Sequence, residues 1–155
     1  MIEQHRKTKN GVLQGSKHTT LMLNHKERNR VIMECCSRIR SIEFDSIVVS
    51  GVSGLLVGAQ IAEILDKNIV VVRKKNEKRY SPFHIEGAYP GAYIVVDDLV
   101  CSGSTIKRIF SEIKTEYPTS KAMGVYCYIP EDCGYSNCPE IFSREFGVKY
   151  LNPCQ

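Results

Sequence analysis

Residues 93–105 read Tyr-Ile-Val-Val-Asp-Asp-Leu-Val-Cys-Ser-Gly-Ser-Thr, and this stretch decides the fold. Tyr93 to Val96 form a short, uninterrupted, largely β-branched apolar run, the composition of a central parallel strand buried on both faces. Asp97 and Asp98 stand where that strand should end. Small residues follow (Cys101, Ser102, Gly103, Ser104), after which Ile106, Ile109, Phe110 and Ile113 recur at the i, i+3, i+4, i+7 spacing of a helix. The order is strand, acidic corner, tight polar loop, helix N-terminus.

That order has a chemical use. A helix start exposes unpaired backbone N–H groups and the positive end of the helix dipole, so it attracts phosphate. Gly103 lets the backbone approach an anion closely, and Ser102, Ser104 and Thr105 offer hydroxyl donors. Asp97 and Asp98 would repel a phosphate at the same point. They suit hydrogen bonds from sugar hydroxyls, or a hydrated Mg²⁺. A ligand with a phosphate at one end and a vicinal diol at the other, a ribose 5-phosphate, satisfies both halves. Alone, an Asp-Asp pair reads first as a solvated acidic turn before a Ser/Thr-capped helix; the whole pattern is far more specific. No Gly-x-x-x-x-Gly-Lys-Ser/Thr loop occurs anywhere in the chain.

At 155 residues the chain has the length of one domain with a single substantial core. No apolar stretch reaches the length of a membrane span, and residues 1–20 lack the apolar centre of a signal peptide. The expected compartment is therefore the cytoplasm, with no membrane partner. Seven cysteines, an odd number without a secretion signal, argue against a disulfide framework. Cys35, Cys36 and Cys127 read as small core residues. Cys133, Cys138 and Cys154 cluster late in the chain, but no Cys-x-x-Cys pair supports a zinc site there, and free thiols are expected. The net charge of +4 is uneven: residues 1–40 hold nine Lys/Arg against three Asp/Glu, the remainder twelve against fourteen. The basic charges are dispersed rather than run together, which favours a solvated face drawn to an anionic substrate over a nucleic-acid partner.

Outward from the central motif, Val12 to Leu23 suggests a hairpin or loose strand, and Asn24, with Glu27 three residues on, caps a helix with Ile32, Cys35, Cys36 and Ile39 on its buried face. That helix ends near Arg40. Ile47 to Ser50 form a strand running into Gly51-Val52-Ser53-Gly54 and then a helix from about Leu55 to Leu65. Such a glycine corner can present N–H groups to an anion, and close helix–sheet packing explains the glycines equally well. Asp66 to Asn68 turn into the buried strand Ile69 to Val72, which ends in Arg73, Lys74 and Lys75. Asn76 to Pro90 is polar and aromatic. The central helix stops near Glu116, before Pro118. Ala122 to Ile129 gives a further strand, Ile141 to Phe146 a short helix, and Val148 to Leu151 a closing strand. Strands alternating with helices predict an α/β fold, a single doubly wound domain with a mainly parallel sheet, its ligands gathering beyond the carboxyl ends of the strands.

The apolar strand, Asp97-Asp98, three residues, then Ser102-Gly103-Ser104-Thr105 closely resembles the phosphoribosyl pyrophosphate (PRPP) signature of the type I phosphoribosyltransferase family. The resemblance spans roughly Ser46 to Tyr117. It implies that family's fold over residues 1–155, with a core over about 46–129, a small hood from 1–45 and 130–155, and a flap. It implies a Mg²⁺-dependent enzyme that transfers ribose 5-phosphate from PRPP to a nucleobase and releases pyrophosphate. Asp97 and Asp98 would then position the ribose, stabilise its developing charge, and meet the metal indirectly through ribose hydroxyls or water. Cys101, Ser102, Gly103, Ser104 and Thr105 would hold the 5-phosphate. Ser50, Gly51, Val52, Ser53 and Gly54 resemble the pyrophosphate loop, and Arg73, Lys74 and Lys75 the basic segment of adenine and xanthine members. Asn76 to Pro90 resembles the flap that shuts out water, with Glu86 or His84 as candidates for the acid/base. The resemblance also implies a homodimer.

One residue departs from the pattern. Hypoxanthine/guanine members carry an aspartate where this chain has Cys101, which disfavours 6-oxopurines and leaves adenine and orotate acceptors open. The competing readings are a non-catalytic relative that binds PRPP or a nucleotide to control a partner, and a zinc-dependent module built on the late cysteines.

Overall fold

The computed structural model describes Thr19 and residues 22–74, 81–129 and 139–152. Five strands form one sheet: β1 (Ser46–Val49), β2 (Asn68–Val72), β3 (Ile85–Gly87), β4 (Ala92–Asp97) and β5 (Lys121–Cys127). They lie side by side in the order β3-β2-β1-β4-β5. The pairs β1–β2, β1–β4 and β4–β5 are parallel, and β3 runs antiparallel to β2 at the edge. Four helices complete the described residues: α1 (His25–Ile39), α2 (Gly51–Leu65), α3 (Ser104–Glu116) and α4 (Pro139–Phe146). Among the described residues, no helix is long and apolar enough to cross a membrane.

The sheet separates two apolar layers, as a doubly wound fold requires. Residues alternate across a strand. Ile47 and Val49 of β1, with Ile94 and Val96 of β4, join the layer formed with α1 and α2, including Ile32, Cys35, Ile39, Val57 and Ile61. Val48, Tyr93 and Val95 point the other way, into the layer of Ile106, Ile109 and Ile113 from α3 and Phe142 from α4. Strand β4 is therefore apolar throughout because both of its faces are covered. At the opposite end of the sheet, Asp45 ties strand starts together. Its amide donates to the Ala92 carbonyl at 2.8 Å, its carboxylate accepts from the Ala92 amide at 2.7 Å, and its carbonyl accepts from the Asn68 amide at 2.9 Å.

The local signals act largely as read. Asn24 caps α1, its Oδ1 accepting from the amides of Lys26 and Glu27, and the helix closes at Ile39 with Arg40 as C-cap. Asp66 ends α2 in the left-handed conformation (φ 53°). Four differences have physical reasons. Helix α2 begins at Gly51 rather than near Leu55, so Gly51-Val52-Ser53-Gly54 is its first turn and not a separate loop. The glycines there reflect close packing: a Cβ on Gly54 would lie 3.2 Å from the Val96 carbonyl oxygen, and one on Gly58 2.4 Å from Val49 Cγ1. Strand β2 is buried only at Val70 and Val72, since Ile69 and Val71 face a less completely covered part of the sheet. Met22 and Leu23 are helical where a hairpin or loose strand was expected, and the rest of that segment lies mostly outside the described residues.

The fourth difference is the closing strand. Val148 to Leu151 meets β5 only at a bridge between Val125 and Tyr150. Asn152 then takes over, accepting from the Cys127 amide at 2.8 Å and donating to the Cys127 carbonyl. A side-chain amide satisfies the backbone that a sixth strand would have paired, and the ladder stops. The polar segment 76–80 and the cysteines at 133, 138 and 154 lie outside the described residues.

Gly58→Ala should destabilise the protein, because the added methyl overlaps a fixed valine inside a packed interface. Overpacking of about 1–3 kcal/mol exceeds the ~1 kcal/mol helix-propensity gain from alanine. Thermal melts should show a Tm lower by about 2–6 °C. In a Val49→Ala background the same change should become neutral or stabilising; an equal loss in both backgrounds would contradict the packing account.

Candidate functional site

The carboxyl ends of β1, β2 and β4 border a cleft of about 380 Å³. It is lined by residues 50–53, by residues 97–106 and by Lys74. The chain leaves β1 for β2 on one side and reaches β4 on the other, so the cleft lies where strand order reverses, the usual ligand position in an open α/β sheet. Three segments separated in sequence meet there.

Asp97 is the last residue of β4 and only 5% exposed. Its carboxylate accepts a hydrogen bond from the Asp98 amide at 3.0 Å, and the Asp98 carboxylate accepts one from the Leu99 amide at 2.8 Å. The continuation of β5 fixes their backbone, with the Tyr128 amide donating to the Asp97 carbonyl at 3.1 Å and the Ile129 amide to the Asp98 carbonyl at 2.9 Å. Burial pushes the Asp97 carboxyl well above the usual carboxylate range, and the negative charge of Asp98 pushes it further. The Asp98 amide and the Lys74 ammonium pull it back only in part. The Tyr128 phenol is buried beside this corner, and its pKa is raised first by that burial and next by Asp98.

Another wall of the cleft is built by α3. Gly103 is its N-cap in the left-handed conformation (φ 73°) and has no side chain to cap with, while the Ser104 amide donates to the Ser102 hydroxyl at 3.4 Å. A Cβ on Gly103 would lie 2.4 Å from the Phe146 ring, so glycine is required by both conformation and space. Helix α4 holds this corner from behind, with Lys107 Nζ 2.7 Å from Glu145 Oε1 and Phe146 against Gly103. The Ser102 hydroxyl bonds to that of Ser104 at 3.0 Å, while Cys101, Ser102 and Ser104 are exposed at the mouth. A helix start with hydroxyls around it is the kind of surface that attracts anions.

Helix α2 supplies the second helix start. Gly51 adopts φ 75°, and Ser50, at the N-cap, makes no side-chain bond to the helix. Residues 50–53 line the cleft, whereas Gly54 lies beneath it against β1 and β4. The cations divide. Lys74 lines the cleft, its Nζ 3.9 Å from where a Cβ on Gly51 would stand. Arg73 is absent from the lining; its Nε is 3.2 Å from Glu86 Oε1. Lys75 lies outside the described residues. Glu86 on β3 thus pairs with Arg73, and His84 accepts the Arg73 amide through its carbonyl at 2.8 Å.

Sequence reading missed Arg108. From the second turn of α3 it donates to the Ser50 hydroxyl at 2.7 Å and to the Arg73 carbonyl at 2.8 Å. One cue was present: a pair of cations, Lys107 and Arg108, one helical turn beyond the polar loop, with Arg108 beside the buried Ile109.

No family model matches the chain. The adenine phosphoribosyltransferase of Malacoplasma penetrans is 32% identical over 107 residues, covering 59% of this chain and 62% of that protein. That of Caldicellulosiruptor saccharolyticus is 28% identical over 103 residues, covering 56% and 59%. The chain thus spans about three fifths of the length of the curated relatives it matches. Among solved structures, the orotate phosphoribosyltransferase of Aeropyrum pernix superposes with a TM-score of 0.68 at 16% identity, covering 96% of this chain and 84% of that one. The fold is that of the type I phosphoribosyltransferases, and the sequence relatives carry the same family likeness.

The buried acidic corner predicts a trade of stability for binding. Asp97 has a higher pKa in the folded than in the unfolded chain. Its protonated form therefore favours the fold fully at acid pH, and that stability is lost as pH rises through the folded pKa. Asp97→Asn keeps the acceptor for the Asp98 amide and removes the charge. Its Tm should match the parent near about pH 4 and exceed it by about 2–4 °C per kcal/mol relieved at alkaline pH. An Asp97→Asn protein less stable than the parent at alkaline pH would contradict the burial of this charge.

Proposed function

We propose that the protein is a Mg²⁺-dependent phosphoribosyltransferase that moves ribose 5-phosphate from PRPP to a nitrogenous base and releases pyrophosphate. The observation that carries this reading is one cleft combining the starts of two helices, a lysine and an acidic pair, Asp97 buried and Asp98 half-buried. PRPP has two anionic ends and a diol between them, and the cleft offers a group suited to each. Adenine is the proposed acceptor, supported by the curated relatives and by the uncharged Cys101 in the phosphate loop.

Each set of residues has a separate task. The amides of Gly103 to Thr105, with the nearby hydroxyls, hold the 5-phosphate and anchor the sugar. The first-turn amides of α2 and the Lys74 ammonium accept the negative charge that grows on the departing pyrophosphate. Asp97 and Asp98 accept hydrogen bonds from the ribose hydroxyls and face the positive charge that develops on the sugar ring. The work is positional and electrostatic, with no covalent enzyme intermediate. The donor set suits Mg²⁺: two hard carboxylates, one of them raised in pKa by burial and by its neighbour, which a cation would relieve. Among the described residues, no group of three or more His, Cys, Asp or Glu forms a closed metal cage. The ion would therefore be held through water and substrate oxygens beside Asp97 and Asp98, and when bound it supplies charge neutralisation at the pyrophosphate.

Incubation with PRPP, Mg²⁺ and a panel of adenine, orotate, hypoxanthine, guanine, uracil and nicotinate tests the reading. Pyrophosphate release with adenine is expected. PRPP binding without turnover on any base would replace this reading with a regulatory binding protein, and failure to bind PRPP would end both. Asp97→Asn combined with Asp98→Asn should keep the fold by circular dichroism while kcat/KM falls by roughly a hundredfold or more.

A further inference from the structure

Ser50 stands at the N-cap of α2 with extended backbone angles (φ −139°, ψ 132°). In that position a serine oxygen ordinarily accepts a hydrogen bond from the second or third helical amide. Here it caps nothing. Its oxygen accepts from Arg108 Nη2 at 2.7 Å instead. Strand alternation explains how the partners meet: Val48 faces the α3 layer, Ser50 lies two residues further on the same side, and Arg108 reaches over from α3. Ser50 is 5% exposed and the Arg108 side chain 20%, so the contact is sheltered from solvent. The Glu112 carboxylate, 3.7 Å away on the same helix, offsets the Arg108 charge.

We propose that Arg108 is a positioning residue that withholds the Ser50 hydroxyl from α2, keeping the first-turn amides of that helix open to pyrophosphate. The inference rests on the pyrophosphate subsite assigned under the proposed function. The second prong supports the same subsite. Arg108 Nη1 donates to the Arg73 carbonyl at 2.8 Å, fixing the backbone immediately before Lys74, whose ammonium stands beside Gly51. A planar guanidinium can hold both acceptors at once, whereas a lysine ammonium is a single point donor. Without the guanidinium, the hydroxyl is free to turn onto its own helix, and capping then competes with the ligand for the same amides.

Calorimetry with Mg²⁺-pyrophosphate on the full chain tests this, with ribose 5-phosphate as a second probe that reports an intact fold and the α3 subsite. Arg108→Met should weaken pyrophosphate binding by roughly tenfold and leave ribose 5-phosphate within about twofold of the parent. Arg108→Lys should recover little of the loss. Adding Ser50→Ala to Arg108→Met should recover the part of the loss due to capping, because the competing hydroxyl is gone while the Arg73 contact stays lost; neither lost charge nor a loosened fold predicts any such rescue. Parent-like pyrophosphate binding by Arg108→Met, full rescue by Arg108→Lys, or no rescue by Ser50→Ala would each overturn the proposal. Should Arg108→Met fail to bind ribose 5-phosphate as well, the folded Arg108→Lys protein decides: weakened pyrophosphate binding supports the role and parent-like binding refutes it. A parent protein that binds no Mg²⁺-pyrophosphate refutes the subsite itself, an outcome distinct from these.

Discussion

A carboxylate forced into the end of a fully buried strand is the constraint on which the rest of this structure depends. Strand β4 is covered on both faces, so its apolar run carries Asp97 almost out of reach of solvent before the chain can turn. Two charges in adjacent positions there are unfavourable; the amides of Asp98 and Leu99 bond to the two carboxylates, and those of Tyr128 and Ile129 fix the backbone carbonyls. None of these removes the excess negative charge. The corner is therefore poised for a cation or for a ring of sugar hydroxyls, and a ligand there relieves an electrostatic cost that folding alone leaves in place.

Around that corner, the fold repeats one device at neighbouring strands. Strands β1 and β4 each lead into a helix whose N-cap residue makes no side-chain bond to it, and each transition uses a glycine with positive φ. The strands are hydrogen-bonded neighbours at the reversal of strand order, so the two helix starts open into one cleft although their helices pack on opposite faces. Parallel pairing brings two helix N-termini and an acidic pair together without a long loop. Helix α4 stabilises the arrangement from behind by packing Phe146 where a Gly103 side chain would otherwise project.

Much of this was legible because the decisive signals are local. The β-branched run before Asp97, the spacing of Ile106, Ile109 and Ile113, and Asn24 before an amphipathic helix each encode their own structure within a few residues. The start of α2 was less legible, since a run with two glycines reads as a loop until the strand beneath it is seen to demand small residues. Val148 to Leu151 looks like a strand, but its pairing is cut short by Asn152, a distant amide with no periodicity to announce it. The cations were legible only as a group. That Lys74 reaches the cleft while Arg73 turns to Glu86 depends on the antiparallel edge strand β3. Arg108 was hidden for the same reason: its partners, Ser50 and the Arg73 carbonyl, lie on other elements.

Amide-resolved NMR during titration with ribose 5-phosphate tests the central claim most directly, because it reports both halves of the recognition at once. The account predicts saturable shifts of the Gly103 to Ile106 amides together with those of Asp98 and Leu99, and loss of the latter shifts when inorganic phosphate replaces the sugar phosphate. Shifts confined to other parts of the chain, or an identical response to both ligands, would contradict it.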